Sequence, residues 1–326
     1  MKLLTMLLPM NLQTFDQVGA GTTWNLPNYD GDLYTADAES TPFLAMIGGL
    51  NGGLQTANFE FPTASLYDYP AASQPGITET ASLTAPTAIS YVRDQSKNVT
   101  QIFHEQVSIS YAKLSNGGRL SGINTAGGQN NVVSERDFQI ARALGKIARD
   151  AEYTFLNGVY QISTSAAVAN KTRGIFAAAE TAIAAAGATL AKALLQQLFR
   201  EMHAAGAIFS NMVLHCNGFQ KQLVSDIYGY APMDRNVGGV NIKQIETDFG
   251  NIGIAPANRF VNTDEIGLFE MSVIAPVFQP VPEKGNLFYE ELSKTGAAES
   301  GQIFGQMGLD HGPGFMHGKI TGLATA

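Results

Sequence analysis

Charge is scarce in this sequence. Asp, Glu, Lys and Arg make up 15% of its 326 residues, against about 25% in an ordinary soluble domain. Basic residues are the scarcer kind, 20 against 28 acidic ones, for a formal net charge of −8. No dense Lys/Arg block is present, which excludes a protein that grips nucleic acid through a basic face. The apolar share of 45% excludes a disordered chain, which combines few apolar residues with many charges. A folded chain so poor in charge points to surface that faces other subunits, because interface cores are depleted in charge. Cysteine is nearly absent: Cys216 stands alone, so no intrachain disulfide or thiolate metal cage can form. Long apolar runs are missing too. The strongest, Leu3 to Leu8 behind Lys2, stops at Pro9, short of the ~7–15 residues of a secretory signal, and no Ala-x-Ala site follows promptly. It reads as an apolar arm that packs on another surface, with no membrane partner.

Catalytic motifs fail one at a time. There is no phosphate-binding G-x-x-x-x-G-K-[ST] and no G-x-S-x-G nucleophile elbow. Gly19-Ala20-Gly21 begins a dinucleotide fingerprint but lacks its third Gly. His104-Glu105 begins H-E-x-x-H, yet position 108 is Ser and the rhythm is that of a strand, whereas the zinc motif needs a helix to put both His on one face. His215 and Cys216 are strand neighbours and point to opposite faces, so they cannot act as a pair. Asn28, Asp30, Asp32 and Glu39 match calcium-loop spacing, but Leu33 stands where the turn needs Gly. His311 and His317 are expected to face each other across a hairpin, two ligands where a structural metal site needs four. The reading is of no enzyme, no cofactor and no metal.

What is present is a definite order of elements. Residues 1–55 look like an irregular arm, with Thr41 and Pro42 starting a short helix that Gly48-Gly49 ends. Residues 56–112 read as a long hairpin, outgoing near Thr56 to Phe61 and returning where Val107, Ile109 and Tyr111 alternate with small polar residues. Between them, residues 62–98 carry four prolines and cannot build a core of their own, so they need a partner. Ser134 caps a helix over 134–158 whose Ile140, Leu144, Ile147, Ala151 and Phe155 form one apolar face. Arg142, Lys146 and Arg149 form a basic stripe on another face. A second helix runs from about Thr189 to Ala205, a buried strand from Met212 to Cys216, and a third helix from the cap Asn217 to about Ile227. From Val240 onward the pattern is strand, with turns at Asp248-Phe249-Gly250-Asn251 and Gly312-Pro313-Gly314. The class is α+β.

That order resembles the major capsid proteins of tailed phages with the Hong Kong 97-type fold. Thr41 to Gly48 is similar to the family's arm segment, and Val107 to Gly118 to its return from the extended loop. Ser134 to Glu152 resembles its long spine helix, Lys171 to Phe176 the short turn after it, and Leu292 to Gly296 with His317 to Ile320 its closing strands. The resemblance implies an N-terminal arm (1–55), an extended β-hairpin loop (56–112), a peripheral domain with the spine helix (113–187), an α+β axial domain (188–285) and closing strands (286–326). It implies a subunit that self-assembles as hexamers and pentamers into an icosahedral head around double-stranded DNA, built in the host bacterial cytoplasm. Its partners would be other copies, a portal, scaffolding or decoration proteins, and packaged DNA touched weakly and non-specifically. No scaffolding segment is expected ahead of the arm. Glu79, Arg93, Asp94 and Lys97 of the loop, and Arg142, Lys146 and Arg149 of the helix, are the candidate assembly contacts. Some capsids of this fold crosslink a loop Lys to a distant Asn. Lys97 is the one Lys in the loop here, and no matching Asn or catalytic Glu stands out. Two alternatives share parts of the pattern: an encapsulin-like compartment shell, and a soluble α+β ligand-binding or hydrolytic protein with a lid at 62–98.

Overall fold

The computed structural model describes residues 41–50, 52–67, 71–115, 135–228, 233–237, 240–257, 260–294 and 296–325. The N-terminal apolar run, the Gly19 motif, the Asn28–Glu39 spacing and the Ser134 cap lie outside these residues. In chain order the helices are α1 (Pro42–Met46), α2 (Glu79–Ser82), α3 (Tyr111–Ser115), α4 (Glu135–Asn157), α5 (Ile175–Ala178), α6 (Lys192–Ala204) and α7 (Gly218–Tyr228). The strands are β1 (Leu54–Gln55), β2 (Glu60–Tyr67), β3 (Arg93–Val99), β4 (Gln101–Ser110), β5 (Thr181–Ala184), β6 (Met212–Cys216), β7 (Met233–Val237), β8 (Val240–Thr247), β9 (Gly250–Pro256), β10 (Ile266–Glu270), β11 (Ala275–Phe278), β12 (Leu287–Glu291), β13 (Ala298–Asp310) and β14 (Gly318–Thr321). The chain forms two compact units. The described part of the first comes from His104–Ile147 and Phe288–Phe304; the second comprises Ser40–Phe103, Ala148–Leu287 and Gly305–Ala326.

The second unit is built on a seven-stranded mixed sheet, ordered β5-β14-β10-β6-β9-β8-β7. Central β6 is buried along its whole length, which is why Met212 to Cys216 reads as an unbroken apolar run rather than an alternating one. Its Met212, Leu214 and Cys216 join Leu195, Leu198 and Met202 of α6 and Val224 of α7 in one core. On the opposite face His215 meets the rings of Phe43 and Phe269, and Phe176 of α5 sits edge-on to Phe269. The expected cap of α7 forms, the Asn217 side-chain oxygen accepting the Phe219 and Gln220 N–H groups at 2.9 and 3.2 Å. Gly206, at φ +94°, ends α6. The Asp248-Phe249 turn joins β8 to β9 with Thr247 opposite Gly250.

Three expectations need correction. The Gly312-Pro313-Gly314 segment does not turn a hairpin. β13 pairs with β11, whereas β14 lies between β5 and β10 in the seven-stranded sheet. A tight hairpin needs adjacent strands, and here Pro313 and a 3-10 turn over Gly314–Met316 carry the chain from one sheet to another. The return strand of the long hairpin is also misread. β2 pairs with β3, while the alternating stretch with buried Val107 and Ile109 is β4, which pairs with β13. Alternation reports that one face is buried but does not name the strand alongside. Finally, α4 buries Ile147, Ala151 and Phe155 as expected, but Leu144 is 37% exposed. Periodicity gives the direction of an apolar stripe, not how far along the helix its own chain covers it.

After α4 the backbone doubles back tightly. The Gly174 N–H donates to the Gly158 carbonyl at 2.8 Å. A Cβ on Gly174 would lie 2.5 Å from the Gly158 nitrogen and 2.6 Å from the Leu156 oxygen. Both are backbone atoms that cannot swing aside, so Gly174→Ala is expected to destabilise the subunit by about 1–3 kcal/mol. Gly145 in α4 has nothing within 4 Å of its Cβ position, and Gly145→Ala is expected to stabilise by about 0.5–1 kcal/mol. Urea unfolding of the two variants beside the parent checks the opposite signs.

Within the first unit, β4 lies beside β13 through contacts such as Ser108 to Ser300 at 3.1 Å, and the Tyr111 N–H donates to the Ala297 carbonyl at 3.0 Å. Gly301 leaves room for the Tyr289 ring, which would overlap any side chain there.

Candidate functional site

The β2–β3 hairpin changes character along its length. At its root Phe61, Thr63, Asn98, Val99 and Thr100 are buried. Pairing shifts register between Pro62 and Ala64, the mark of a β-bulge, and the Thr63 and Ser96 hydroxyls meet there at 2.9 Å. Past the bulge, every residue from 71 to 95 is exposed. That segment still folds locally: the Thr78 hydroxyl caps α2 by accepting the Ala81 N–H at 3.2 Å. It also presents large apolar side chains to solvent, with Leu83 at 86% and Ile89 at 76% exposure, beside Ile77, Tyr91 and Val92. Isolated exposed apolar residues are ordinary, but a concentration on one protruding element marks a contact surface.

The root is held by polar side chains. The Asn98 amide nitrogen donates to the Arg173 and Leu309 carbonyls at 3.1 and 2.7 Å. Its oxygen accepts the Val99 and Arg173 N–H groups at 2.9 and 2.7 Å. Thr100 donates to the Gln279 side chain at 2.7 Å. Sequence reading missed Asn98 because one Asn in a strand carries no periodic signal.

The candidate contact residues fall into separate places. Glu79, Arg93 and Asp94 are exposed on the hairpin. Lys97 sits nearer the root and pairs with Glu60 across the two strands at 3.4 Å. On α4, Arg142 lies 5.5 Å over the Phe138 ring and Lys146 pairs with Glu105 of β4; Arg149, in the second unit, is half-buried. The basic stripe is therefore engaged within the subunit in part. Arg136, which the sequence did not single out, pairs with Glu291 and lies over the Tyr289 ring.

The histidines are structural in their surroundings. His104 meets Gln302 at 3.0 Å and the edge of Phe304. His317 donates to the His311 carbonyl at 2.6 Å and accepts the Glu270 N–H at 3.3 Å, while His311 Nδ1 meets the Gly312 carbonyl at 2.8 Å. The two rings thus come close without a hairpin, and bond to backbone rather than turning lone pairs to a common point. Burial pushes the pKa of each down to about 4. His215, stacked on Phe269 and edge-on to Phe43 with neither nitrogen hydrogen-bonded, is pushed by burial down to about 3, and burial raises the Cys216 thiol to about 12. A neutral thiol on the opposite face of β6 is no nucleophile. Among the described residues no three His, Cys, Asp or Glu side chains are grouped to hold a metal, and no helix is long and apolar enough to cross a membrane.

The fold has close counterparts among solved structures. The capsid asymmetric unit of cyanophage A-1(L) superposes with a TM-score of 0.63 at 13% identity, covering 92% of this chain and 98% of that one. The capsid of Myoviridae phage XM1 gives 0.57 at 13% identity, covering 91% and 96%. The SrpI encapsulin of Synechococcus elongatus gives 0.58 at 9% identity, covering 92% and 93%. These likenesses establish a fold that capsids and encapsulins share. A search of curated protein sequences finds no match. The sequence profile of the SU10 major capsid protein matches residues 15–324. A match over nearly the whole length favours a phage shell over a compartment shell, and the chain belongs to the SU10 major capsid protein family, the shell subunits of phage heads.

Proposed function

We propose that this chain builds an icosahedral head around double-stranded DNA by laying its β2–β3 hairpin across adjacent copies within hexamers and pentamers. The observation that carries this is the exposed apolar surface past the bulge, which the subunit itself leaves uncovered. Glu79, Arg93 and Asp94 would supply polar contacts at the rim of that surface, where charges select register more than they add affinity. Residues 1–55 would serve as arm, 113–187 as peripheral domain with α4 as its spine, and 188–285 as axial domain. The role is structural rather than catalytic. A net charge of −8 suits a shell that touches packaged DNA weakly. A portal, scaffolding or decoration proteins and assembly in the host cytoplasm complete the proposal.

The test is a truncation that spares the root. Replacing 66–94 with a short Gly-Ser turn shortens a loop, whose closure entropy depends only logarithmically on length. The truncated subunit is expected to stay soluble with unchanged helix content by circular dichroism, and to sediment as small species where the parent forms closed particles. Intact particles of parental stability would remove the hairpin from assembly.

A further inference from the structure

We propose that Asn98 is the positioning residue of the hairpin: it sets the direction in which the exposed surface leaves the subunit, and so the angle at which copies meet. The inference rests on the reading of the hairpin as the contact between copies. Its argument starts from a saturated amide. Asn can offer two donors and two acceptor lone pairs, and Asn98 uses all four at 2.7 to 3.1 Å. Both neighbours of its nitrogen are carbonyls and both neighbours of its oxygen are N–H groups, so only one orientation of one side chain fits. Asp would set an oxygen against two carbonyls, and Thr or Ser could not span the partners.

Those partners belong to different parts of the second unit. Arg173 lies in the segment after α4, Leu309 in β13, and Val99 in the hairpin's own strand. Three segments thus meet on one planar group, which fixes an angle as well as a distance. Thr100 adds one hydroxyl bond to Gln279, which fixes a distance but no plane, and Gly308 adds packing by admitting the Phe61 ring, since a Cβ there would come within 2.9 Å of it. Apolar packing tolerates sliding, whereas hydrogen bonds in a planar amide do not. The Lys97–Glu60 pair adds little rigidity, as it joins the hairpin's own two strands and both side chains are partly in solvent. From Asn98 to the far end of β3 at Arg93 is about 17 Å, so a 10° error at the root moves that end by about 3 Å. Interface cores pack as tightly as protein interiors, and an offset of that size separates contacting atoms.

The experiment measures direction by spin-label distances between Ser82→Cys on the hairpin and Gln196→Cys on α6, in soluble subunits. Native Cys216 is fully buried and takes no label. The otherwise unaltered chain is expected to give one narrow distance distribution. Asn98→Asp is expected to at least double its width, with unchanged helix content, and to yield open or misshapen particles. Phe61→Leu, which loosens packing at the same root, is expected to lower the melting temperature while the distribution stays narrow. If Asn98→Asp does not fold, Asn98→Ser removes the bonds to Arg173 and Leu309 without adding charge and is read in the same way. A distribution that stays narrow in the folded Asn98 variant overturns the proposal, as does equal broadening in Phe61→Leu. A broadened variant that still closes particles of parental size overturns the assembly role of the hairpin instead.

Discussion

Acidification from pH 7.5 to pH 5 is expected to strip up to about 6 kcal/mol from the unassembled subunit through three buried histidines. His215, His311 and His317 are each almost wholly buried. Burial lowers their pKa from an ordinary 6.5 to about 3 for His215 and about 4 for the other two. For His311 the nearby Arg173 pushes further down, while for His317 Glu270 pushes back up. The sign follows from proton uptake. As pH falls below 6.5 the unfolded chain binds protons first, because its histidines are unperturbed, and the folded chain does not follow until pH 4 or below. Their contribution is therefore complete above pH 6.5 and is lost as pH falls through the window down to 4 and then 3. At pH 5 each histidine accounts for about 2 kcal/mol. His215→Phe isolates one of them. Neither ring nitrogen has a hydrogen-bond partner, so Phe forfeits no bond between Phe43 and Phe269. The variant is expected to be at least as stable as the parent at pH 7.5, since it removes two unpaired buried nitrogens, and to gain about 2 kcal/mol more on it at pH 5. Urea midpoints at both pH values check this, and a parent whose midpoint is flat from pH 7.5 to 4.5 would contradict it.

Glu152→Ala is expected to unseat α1 and destabilise the subunit by about 4 kcal/mol. Glu152 of α4 is fully buried, and its two oxygens accept the Phe43 and Leu44 N–H groups at 2.9 and 2.6 Å. These are donors at the start of α1 that a helix cannot satisfy itself. Thr41, the residue placed to cap them, makes no side-chain capping bond. Removing the carboxylate leaves two buried N–H groups unpaired at about 1–3 kcal/mol each, and frees Phe43, Leu44 and Met46 to leave the core. Glu152→Gln keeps one acceptor oxygen and is expected to lose about half as much. Faster hydrogen exchange at the Phe43 and Leu44 amides, together with a lowered urea midpoint, is the measurement. Unchanged exchange at both amides in Glu152→Ala would mean that another group holds the helix start.

Local chemistry was legible wherever a residue's neighbours in the chain decide its conformation. Asn217 caps α7 because its side chain reaches N–H groups two and three residues on. Thr247 to Gly250 turns because Gly250 accepts φ +134°. Met212 to Cys216 reads as a buried strand because an apolar run of that length, flanked by turn residues, has few other homes. The hairpin as a candidate contact was legible as well, since a proline-rich stretch without a periodic face cannot make its own core. Glu152 left a faint signal: it stands four residues before Leu156, on the edge of the buried stripe.

Partners distant in sequence were decided only by the tertiary structure. That β3 and not β4 returns beside β2 goes with contacts remote in sequence, such as those of Asn98, whose carbonyl partners lie 75 and 211 residues away. That β14 joins β10 and β5 rather than β13 is a long-range pairing on both of its sides, which the alternation within Gly318 to Thr321 does not specify. Leu144 belongs to an apolar stripe by spacing, yet the chain's own fold leaves it in solvent. Glu152 becomes a cap only because α1 arrives 108 residues earlier in the sequence to meet it. The sequence by itself determined the α+β class, the order of elements and the need of residues 62–98 for a partner, because periodicity, turn chemistry and composition are local. Register between strands, the root of the hairpin and the polar clasps came from long-range packing, where one buried amide or carboxylate selects among arrangements that local preferences leave nearly equal.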